Sequence, residues 1–513
     1  MRLQRIVGED RAIRTNIYLR NALLGTAWSS RLEFPPGFQF GAATSSYQIE
    51  GGWDADGKGP SIWDRLFHSA ANSGYFNQTG DVAADSYHQW RQDVKAAADM
   101  GLDFYRFSIS WPRILPTGRT NVVSPAGVRY YSQLIDVLLA AGIKPVVTLY
   151  HFELPVTIQD LGGWTNPLIV DLFGEYARLV YSLYADRVDT WITINEGIVI
   201  CDLTYNFGQF APQIKEPTFA PFLCNKHVML AHAKAYRIYD EEFRAKCGGK
   251  VSIANNLLWV EPVTPDDLEL AELGRQHSIG RFSHPIFSKE GGWPPTTEKL
   301  MRAVSRREGY SQSRLPAFTD EEKKFVQGTA DFFSLNHYTT SMIRPARAGE
   351  APGTWFINGS AELNAVLEHP PGSTYGALDI MPIYPPGFRR LLNWVRQQYG
   401  DVEVFVSENG LATSGTNLED HIRVDYLTRY MEQVLLAMED GVRVTGYTVW
   451  SLIDNFEWFD GYNTKFGLYE VDFEDPARSR RPRLSAHHYA CVIKHRRLKY
   501  PESCVQERRN GRR

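Results

Sequence analysis

Short apolar runs and amphipathic stretches alternate along most of the chain, and this alternation constrains the fold more than any other feature. Near-continuous apolar runs of about four to eight residues are typical of parallel strands buried on both faces. We interpret eight runs as strands, at residues 38–43, 103–109, 144–150, 190–195, 251–256, 332–336, 403–407 and 444–450. Helical patterns separate several of them, at residues 87–100, 125–141, 167–185, 220–246, 388–399 and 417–440. Four of these patterns are followed by a glycine suited to a helix C-terminus, namely Gly101, Gly142, Gly400 and Gly441.

Eight strands alternating with helices predict a single (β/α)8 barrel of the α/β class, with an open doubly wound sheet as the alternative. Residues 274–330 and 342–385 are too long for simple connections, so we expect long inserted βα loops that wall a cleft. The barrel domain is predicted to span residues 32–500. A flexible N-terminal extension, residues 1–31, would precede it and be dispensable for folding, and a basic C-terminal tail, residues 501–513, would follow.

The charge balance and the cysteines exclude several classes of protein. The 513 residues include 55 Lys and Arg against 59 Asp and Glu, a net charge of −4. This balance gives no reason to expect a nucleic-acid partner. No apolar run is as long as the roughly 20 residues that a membrane-spanning helix needs. Five cysteines without a CxxC pair exclude a disulfide-dense scaffold and a zinc framework, although one or two bridges remain open.

Localisation is left open by two opposing features. Asn77-Gln78-Thr79 and Asn358-Gly359-Ser360 form glycosylation sequons, which favour secretion. The uncharged stretch at residues 21–30 holds few strongly apolar residues and is a poor signal-peptide core. The sequence therefore does not decide between a secreted and a cytosolic protein.

Polar side chains follow the predicted strands where a barrel brings strand ends together. Arg106 lies within its strand, and His151, Asn195, Glu196, Asn336, His337, Tyr338 and Glu408 lie at or just after strand ends. The last strand ends in Trp450 and leads to Glu457 and Trp458. A single polar residue there is explained by helix capping. Two glutamates on separate strands, beside an arginine and several tryptophans, indicate hydrolysis of a glycosidic bond. In that reaction one carboxylate attacks the anomeric carbon and a second carboxyl protonates the leaving oxygen.

Five motifs resemble the signatures of family 1 glycoside hydrolases, the β-glucosidase family. In chain order they are FGAATSSYQIEG at 40–51, YRFSISWPR at 105–113, NHYT at 336–339, SENG at 407–410 and WSLIDNFEW at 450–458. The resemblance covers about residues 34–498 and is nearest in style to animal β-glucosidases, lactase-like domains and insect myrosinases. It implies a (β/α)8 barrel and a retaining double displacement without metal or other cofactor. The implied substrate is a small β-glucoside or oligosaccharide, and the protein is expected to be a monomer or homodimer.

The resemblance also assigns roles to individual residues. It implies that Glu408 is the nucleophile and Glu196 the acid/base, with Arg106 and Tyr338 holding the nucleophile. A nearby guanidinium keeps a carboxylate ionised, as a nucleophile requires. The other matched positions are expected to bind substrate, with Asn195 on the sugar 2-OH and Trp450 under the ring. They are Gln48, His151, Asn195, Asn336, Trp450, Glu457, Trp458 and Phe466.

The sequence departs from the family pattern in three places. Gly197 follows Glu196 where proline is usual, and the loss of a proline frees the backbone locally. Phe152 and Glu153 replace the more common tryptophan and aspartate, which predicts a different site rim. Ser407 replaces the more common threonine before the nucleophile.

Four other functions are weighed against a β-glucosidase. Plant myrosinases have glutamine at the position of Glu196, so their mechanism is excluded here, whereas an insect-style thioglucosidase remains open. A non-catalytic Klotho-like binding protein would lack a catalytic glutamate. A 6-phospho-glycosidase would have a small residue at Glu457, since a carboxylate repels phosphate. The GxxxxGK match at residues 52–58 lacks the following Ser or Thr and is interpreted as a surface loop. The prediction is a retaining β-glucosidase, with β-galactosides and β-fucosides as further expected substrates.

Overall fold

Eight parallel strands close into a barrel in the computed structural model, which describes residues 32–69, 78–355 and 357–511. Each strand pairs with the next, and the last pairs with the first. We number the barrel strands β1 Gln39–Ala43, β2 Phe104–Ser108, β3 Lys144–Tyr150, β4 Thr190–Asn195, β5 Lys250–Asn256, β6 Phe333–Asn336, β7 Val404–Asn409 and β8 Val444–Trp450. The predicted barrel is confirmed and the open sheet is excluded. The predicted N-terminal extension lies outside the described residues.

Apolar side chains fill the barrel near the amino ends of its strands. This cluster consists of Phe104, Val146, Ile192, Ala254, Phe332 and Phe405. Two glycines make room for its rings, since a Cβ at Gly41 would lie 2.2 Å from the ring of Phe104 and one at Gly446 2.7 Å from that of Phe405. A close-packed lower layer leaves polar side chains to the carboxyl ends of the strands, where barrel enzymes place their sites.

Long helices surround the barrel, six of them close to the predicted positions, whereas the last, Leu484–His495, was not predicted. They are Ser86–Met100, Pro125–Ala140, Ile169–Tyr184, Ala220–Ile238, Pro385–Tyr399, His421–Glu439 and Leu484–His495. The pattern predicted at 220–246 is divided, because a π-helical turn, Tyr239–Phe243, separates Ala220–Ile238 from Arg244–Cys247. Short helices and 3₁₀ turns fill the other connections, at Ser46–Ile49, Ala55–Gly57, Ile62–His68, Trp111–Ile114, Val156–Gln159, Gly163–Thr165 and Trp458–Asp460.

The long predicted loops contain secondary structure of their own. The segment between β5 and β6 forms Pro265–Asp267, Leu268–Arg275, Gln276–Gly280, Arg281–Phe287, Pro295–Arg307 and Asp320–Val326. The segments after β5 and β6 together build a small sheet from Trp259–Pro262, Thr340–Pro345, Ala365–Glu368 and Gly359–Ser360. Three two-stranded ribbons pair Thr374–Tyr375 with Pro382–Ile383, Thr413–Ser414 with Thr464–Lys465, and Tyr469–Val471 with Arg480–Pro482.

Two disulfides, which the sequence left open, join Cys201 to Cys224 and Cys491 to Cys504. The first connects the π-helix Val199–Asn206, just after β4, to the helix Ala220–Ile238. The second fixes the helix Ser503–Arg509, in the segment predicted as a C-terminal tail, against Leu484–His495. Across the described ranges, no helix is long and apolar enough to cross a membrane, and no group of His, Cys, Asp and Glu side chains is arranged to hold a metal ion.

Candidate active site

A cleft of about 480 Å³ opens at the carboxyl ends of the barrel strands. Ten of the twelve predicted site residues line it: Gln48, His151, Asn195, Glu196, Tyr338, Glu408, Trp450, Glu457, Trp458 and Phe466. The other two, Arg106 and Asn336, are buried and contact the lining carboxyl groups. The structure therefore brings all twelve predicted residues together at one end of the barrel.

Strand irregularities precede both glutamates. The pairing of β4 with β5 shifts register between Ile192 and Asn195, and that of β7 with β6 shifts between Val406 and Glu408. Such irregularities turn a side chain away from regular alternation and are common beside active sites. They allow each glutamate to line the cleft at the end of its strand.

The Glu408 carboxylate is held from both sides. Arg106 Nη1 donates to Oε1 at 2.5 Å, and the Tyr338 hydroxyl donates to Oε2 at 2.6 Å. Arg106 is itself fixed, because its Nε donates to Thr148 and its Nη1 also donates to the Ser407 carbonyl. The buried guanidinium compensates a negative charge on Glu408 and orients its oxygens.

The Glu196 carboxyl has a different environment. Asn336 Nδ2 and Asn256 Nδ2 donate to its Oε1 at 2.7 and 3.0 Å. Burial, followed by the negative charge of Glu408, raises the pKa of Glu196 to about 8, although both amides act in the opposite direction. Glu196 is therefore protonated at neutral pH and can act as a proton donor.

Two asparagines connect these environments. Arg106 Nη2 donates to Asn195 Oδ1 at 2.8 Å, and Asn336 Nδ2 reaches the same oxygen at 3.0 Å. Asn336 in turn accepts a bond from the Ser407 hydroxyl at 2.7 Å. The two glutamates thus share one hydrogen-bonded frame, and the serine in place of threonine still supplies the hydroxyl that this frame uses.

The deeper wall of the cleft presents groups suited to sugar hydroxyls. Gln48 Nε2 donates to Glu457 Oε2 at 3.2 Å, and Asn195 Nδ2 lies 3.3 Å from His151 Nε2. Burial and the charge of Arg106 lower the pKa of His151 well below its ordinary value, so the ring is neutral and can both donate and accept. The Trp450 ring stacks on His151 at 5.6 Å between centroids.

Glu153 does not reach the rim, contrary to the interpretation of the Phe152-Glu153 pair. Its buried carboxylate accepts bonds from Ser46 at 2.6 Å and Ser110 at 2.8 Å, and lies 3.4 Å from Lys58 Nζ. Only Phe152 lines the cleft. The GxxxxGK segment predicted as a surface loop therefore ends in Lys58, whose buried side chain pairs with Glu153 and, at 2.9 Å, with Asp64.

The backbone around Gly197 is closely packed. Glu196 has a left-handed φ of 49°, and its N–H donates to the Ala254 carbonyl at 2.7 Å. A Cβ at Gly197 would lie 2.8 Å from the ring of Phe282 and 2.9 Å from Val228. A larger residue here would therefore require Phe282 or Val228 to shift, beside the backbone that carries Glu196.

Sequence reasoning missed two sets of cleft residues. Asn256, which contacts Glu196, stands at the end of a correctly predicted strand, so the strand-end rule applied to the other residues would have found it. The apolar outer wall carried no motif, although the loop predicted at residues 342–385 supplies part of it; the loop predicted at residues 274–330 supplies none of the described lining residues. The outer wall is lined by Val199, Leu203, Phe210, Leu258, Ile357, Leu378, Ile380, Met381 and Phe459.

Comparison with known proteins gives the family. The family model described as Glycosyl hydrolase family 1 matches residues 30–498. The chain belongs to glycosyl hydrolase family 1. Within the family it is 42% identical to Myrosinase 1 of Brevicoryne brassicae, covering 90% of this chain and 98% of that protein. It is 40% identical to the cytosolic beta-glucosidase of Homo sapiens, covering 91% and 99%.

The solved structures agree with this assignment. A rice beta-glucosidase mutant in a covalent complex with Glc superposes with a TM-score of 0.82 at 36% identity, covering 92% of this chain and all of that one. The predicted family is confirmed, and the chain is a hydrolase of the β-glucosidase type.

Proposed function

We propose that this family 1 enzyme hydrolyses terminal β-D-glucosyl residues with retention of configuration. The observation that carries the proposal is the pair of unlike carboxyl groups in one cleft. Glu408 contacts a guanidinium and a phenol, whereas Glu196 has a pKa raised to about 8. A retaining glycosidase requires an ionised nucleophile and a protonated donor side by side.

Glu408 would attack the anomeric carbon while Glu196 protonates the departing oxygen. Tyr338 and Arg106 fix the attacking oxygens and compensate the charge that remains on the carboxylate. Once the glycosyl-enzyme has formed, the charge on Glu408 is lost, which removes one cause of the raised pKa of Glu196. Glu196 then serves as the base that activates water. The covalent complex described for the rice relative supports such an intermediate.

The remaining lining residues would bind the sugar. We assign Gln48, His151, Asn195 and Glu457 to its hydroxyls and Trp450 to the ring face. Their buried donors and acceptors favour a ring with matching hydroxyls, since an unpaired buried polar group costs about 1–3 kcal/mol. Galactosides and fucosides are expected as secondary substrates. Trp458 and Phe466 complete the apolar surround.

Thioglucosidase activity is a second candidate, favoured by the 42% identity to Myrosinase 1. Glu196 is the residue that would assist a thioglucoside as it assists an ordinary glucoside. A purely binding role of the Klotho-like kind has no support, because both glutamates are in place.

Chemical rescue tests the two roles together. In Glu196→Ala, a dinitrophenyl β-glucoside needs no proton donor, so the glycosyl-enzyme should form and accumulate, and added azide should release β-glucosyl azide. Glu408→Ala is the matched control: azide can only attack from the face that Glu408 has vacated, which gives the α-azide. An α-azide from Glu196→Ala, or an α-anomer released first by the wild type, would contradict the proposal.

A further inference from the structure

The outer half of the cleft is an apolar surface beyond the sugar-binding groups. Val199, Leu203 and Phe210 lie on one side, and Ile357, Leu378, Ile380 and Met381 come from the long segment after β6. Ile380 is 52% exposed and Ile357 37% exposed. Large apolar side chains that are exposed together at a cleft mouth mark a surface that a ligand covers.

The charge of the cleft is one-sided. Its lining includes five carboxyl residues. Glu196 and Glu457, whose pKa values are raised to about 8, are largely protonated at neutral pH, and Arg106 compensates Glu408, so the uncompensated negative charge is that of Asp379 and Asp460 further out. Among the described residues that line it, none is Lys or Arg, and His151 is neutral. Arg106, the cation beneath, is already engaged by Glu408 and Asn195.

The outer carboxylates carry no compensating cation. Asp379 is exposed and makes no hydrogen bond or ion pair with any described residue. Asp460 accepts a long bond of 3.4 Å from Thr464, and no ion pair reaches it from the described part of the chain. A cleft lined by charges of one sign concentrates that potential between its walls.

We propose that the outer cleft selects an uncharged, largely apolar aglycone and discriminates against an anionic one, with Asp379 as a specificity-determining residue. The inference rests on the proposed function and names its substrate class: neutral aryl or alkyl β-glucosides. Burial against this wall strengthens the binding of apolar leaving groups, whereas the hydroxyls of a second sugar would find few hydrogen-bond partners there. A glucosinolate carries a permanent sulfate, for which this cleft offers no counter-charge.

A matched pair of substrates tests the effect of a negative charge on the aglycone alone. The β-glucosides of 4-hydroxyphenylacetic acid and of its methyl ester have nearly the same leaving phenol, because a methylene separates the carboxyl group from the ring. For the wild type, kcat/KM should favour the ester by about tenfold at low ionic strength, and the ratio should shrink in about 0.5 M salt. Asp379→Lys should bring the ratio of kcat/KM for ester and acid towards one.

Asp401→Lys provides the control variant. Asp401 is an exposed acid just before β7, at the opposite end of the barrel, and the same charge change there should leave the ratio unaltered. Equal rates for acid and ester, a preference for the acid, or turnover of allyl glucosinolate at the rate of the ester would each overturn the inference. Absence of turnover with both the ester and a dinitrophenyl β-glucoside would instead refute the proposed function itself.

Discussion

Replacing Asn256 with leucine removes one of the two amide donors that contact the Glu196 carboxyl. Leucine is close to asparagine in shape, so the substitution removes the donor with little change in packing. The amide stabilises the charged carboxylate, and without it the protonated form is favoured. The pKa of Glu196 should therefore rise.

The size of the rise follows from the geometry. A hydrogen bond to a charged group contributes about 1.5–3 kcal/mol, and one pKa unit corresponds to about 1.36 kcal/mol, which gives about one to two units. The bond from Asn256 is the longer of the two, at 3.0 Å against 2.7 Å for Asn336. We therefore expect about one unit, starting from a pKa of about 8.

The assay is the pH dependence of kcat/KM for an aryl β-glucoside, which reports groups of the free enzyme. The basic limb should move to higher pH by about one unit, and the acid limb should stay. Asn393→Leu is the control, because it removes a similar amide bond, to Asp440, at the surface. An unmoved basic limb with a lower plateau would show that Asn256 only binds substrate and would refute the reasoning.

Three further substitutions test other parts of the site. Tyr338→Phe should lower kcat about 10-fold to 100-fold with little change in KM, because a bond to the Glu408 carboxylate is lost; an unchanged kcat in steady-state assays would exclude this role. Burial and then the charge of Asp460 raise the pKa of Glu457 to about 8. The folded state therefore favours the protonated carboxyl, which stabilises the fold fully below about pH 4.5, and this stabilisation is lost as pH rises towards 8. Between those pH values, the free energy of unfolding of Glu457→Gln, measured in urea, should rise relative to the wild type by up to about 4 kcal/mol. A difference between the two proteins that does not change with pH would refute this. Gly197→Ala should cost about 1–3 kcal/mol through its clash with Phe282, visible as a lower Tm, and an unchanged Tm would show that the ring yields freely.

The barrel was predictable because its strands are buried on both faces. Lys144–Tyr150, Thr190–Asn195 and Val444–Trp450 have the predicted bounds, because short runs rich in apolar and β-branched residues mark them in the sequence. The helices of the segment between β5 and β6 were not predicted. Most of these elements are only three to eight residues long, and the longest, Pro295–Arg307, has 13, so the segment contains no long periodic pattern of the kind that predicted the other helices.

The residues that form the site were also predictable, whereas the hydrogen bonds between them were not. Strand ends and motifs indicated Glu196 and Glu408, but the link through Asn195 and Asn336 depends on distances that no spacing along the chain contains. Glu153 shows the limit most clearly. It is two residues from His151, yet it contacts Ser46, 107 positions away, because side chains that are neighbours in sequence diverge in space.

The disulfide between Cys201 and Cys224 encloses the stretch of chain that supplies Leu203, Gln209 and Phe210 to the cleft. Thiol reductants in a reducing host cytoplasm keep such pairs open, whereas an oxidising export route closes them. Batches of the same polypeptide from the two routes would then differ in the anchoring of one wall of the cleft while the catalytic glutamates stay the same. Rankings of leaving groups obtained from one batch should be compared with those from the other only after the thiols have been counted.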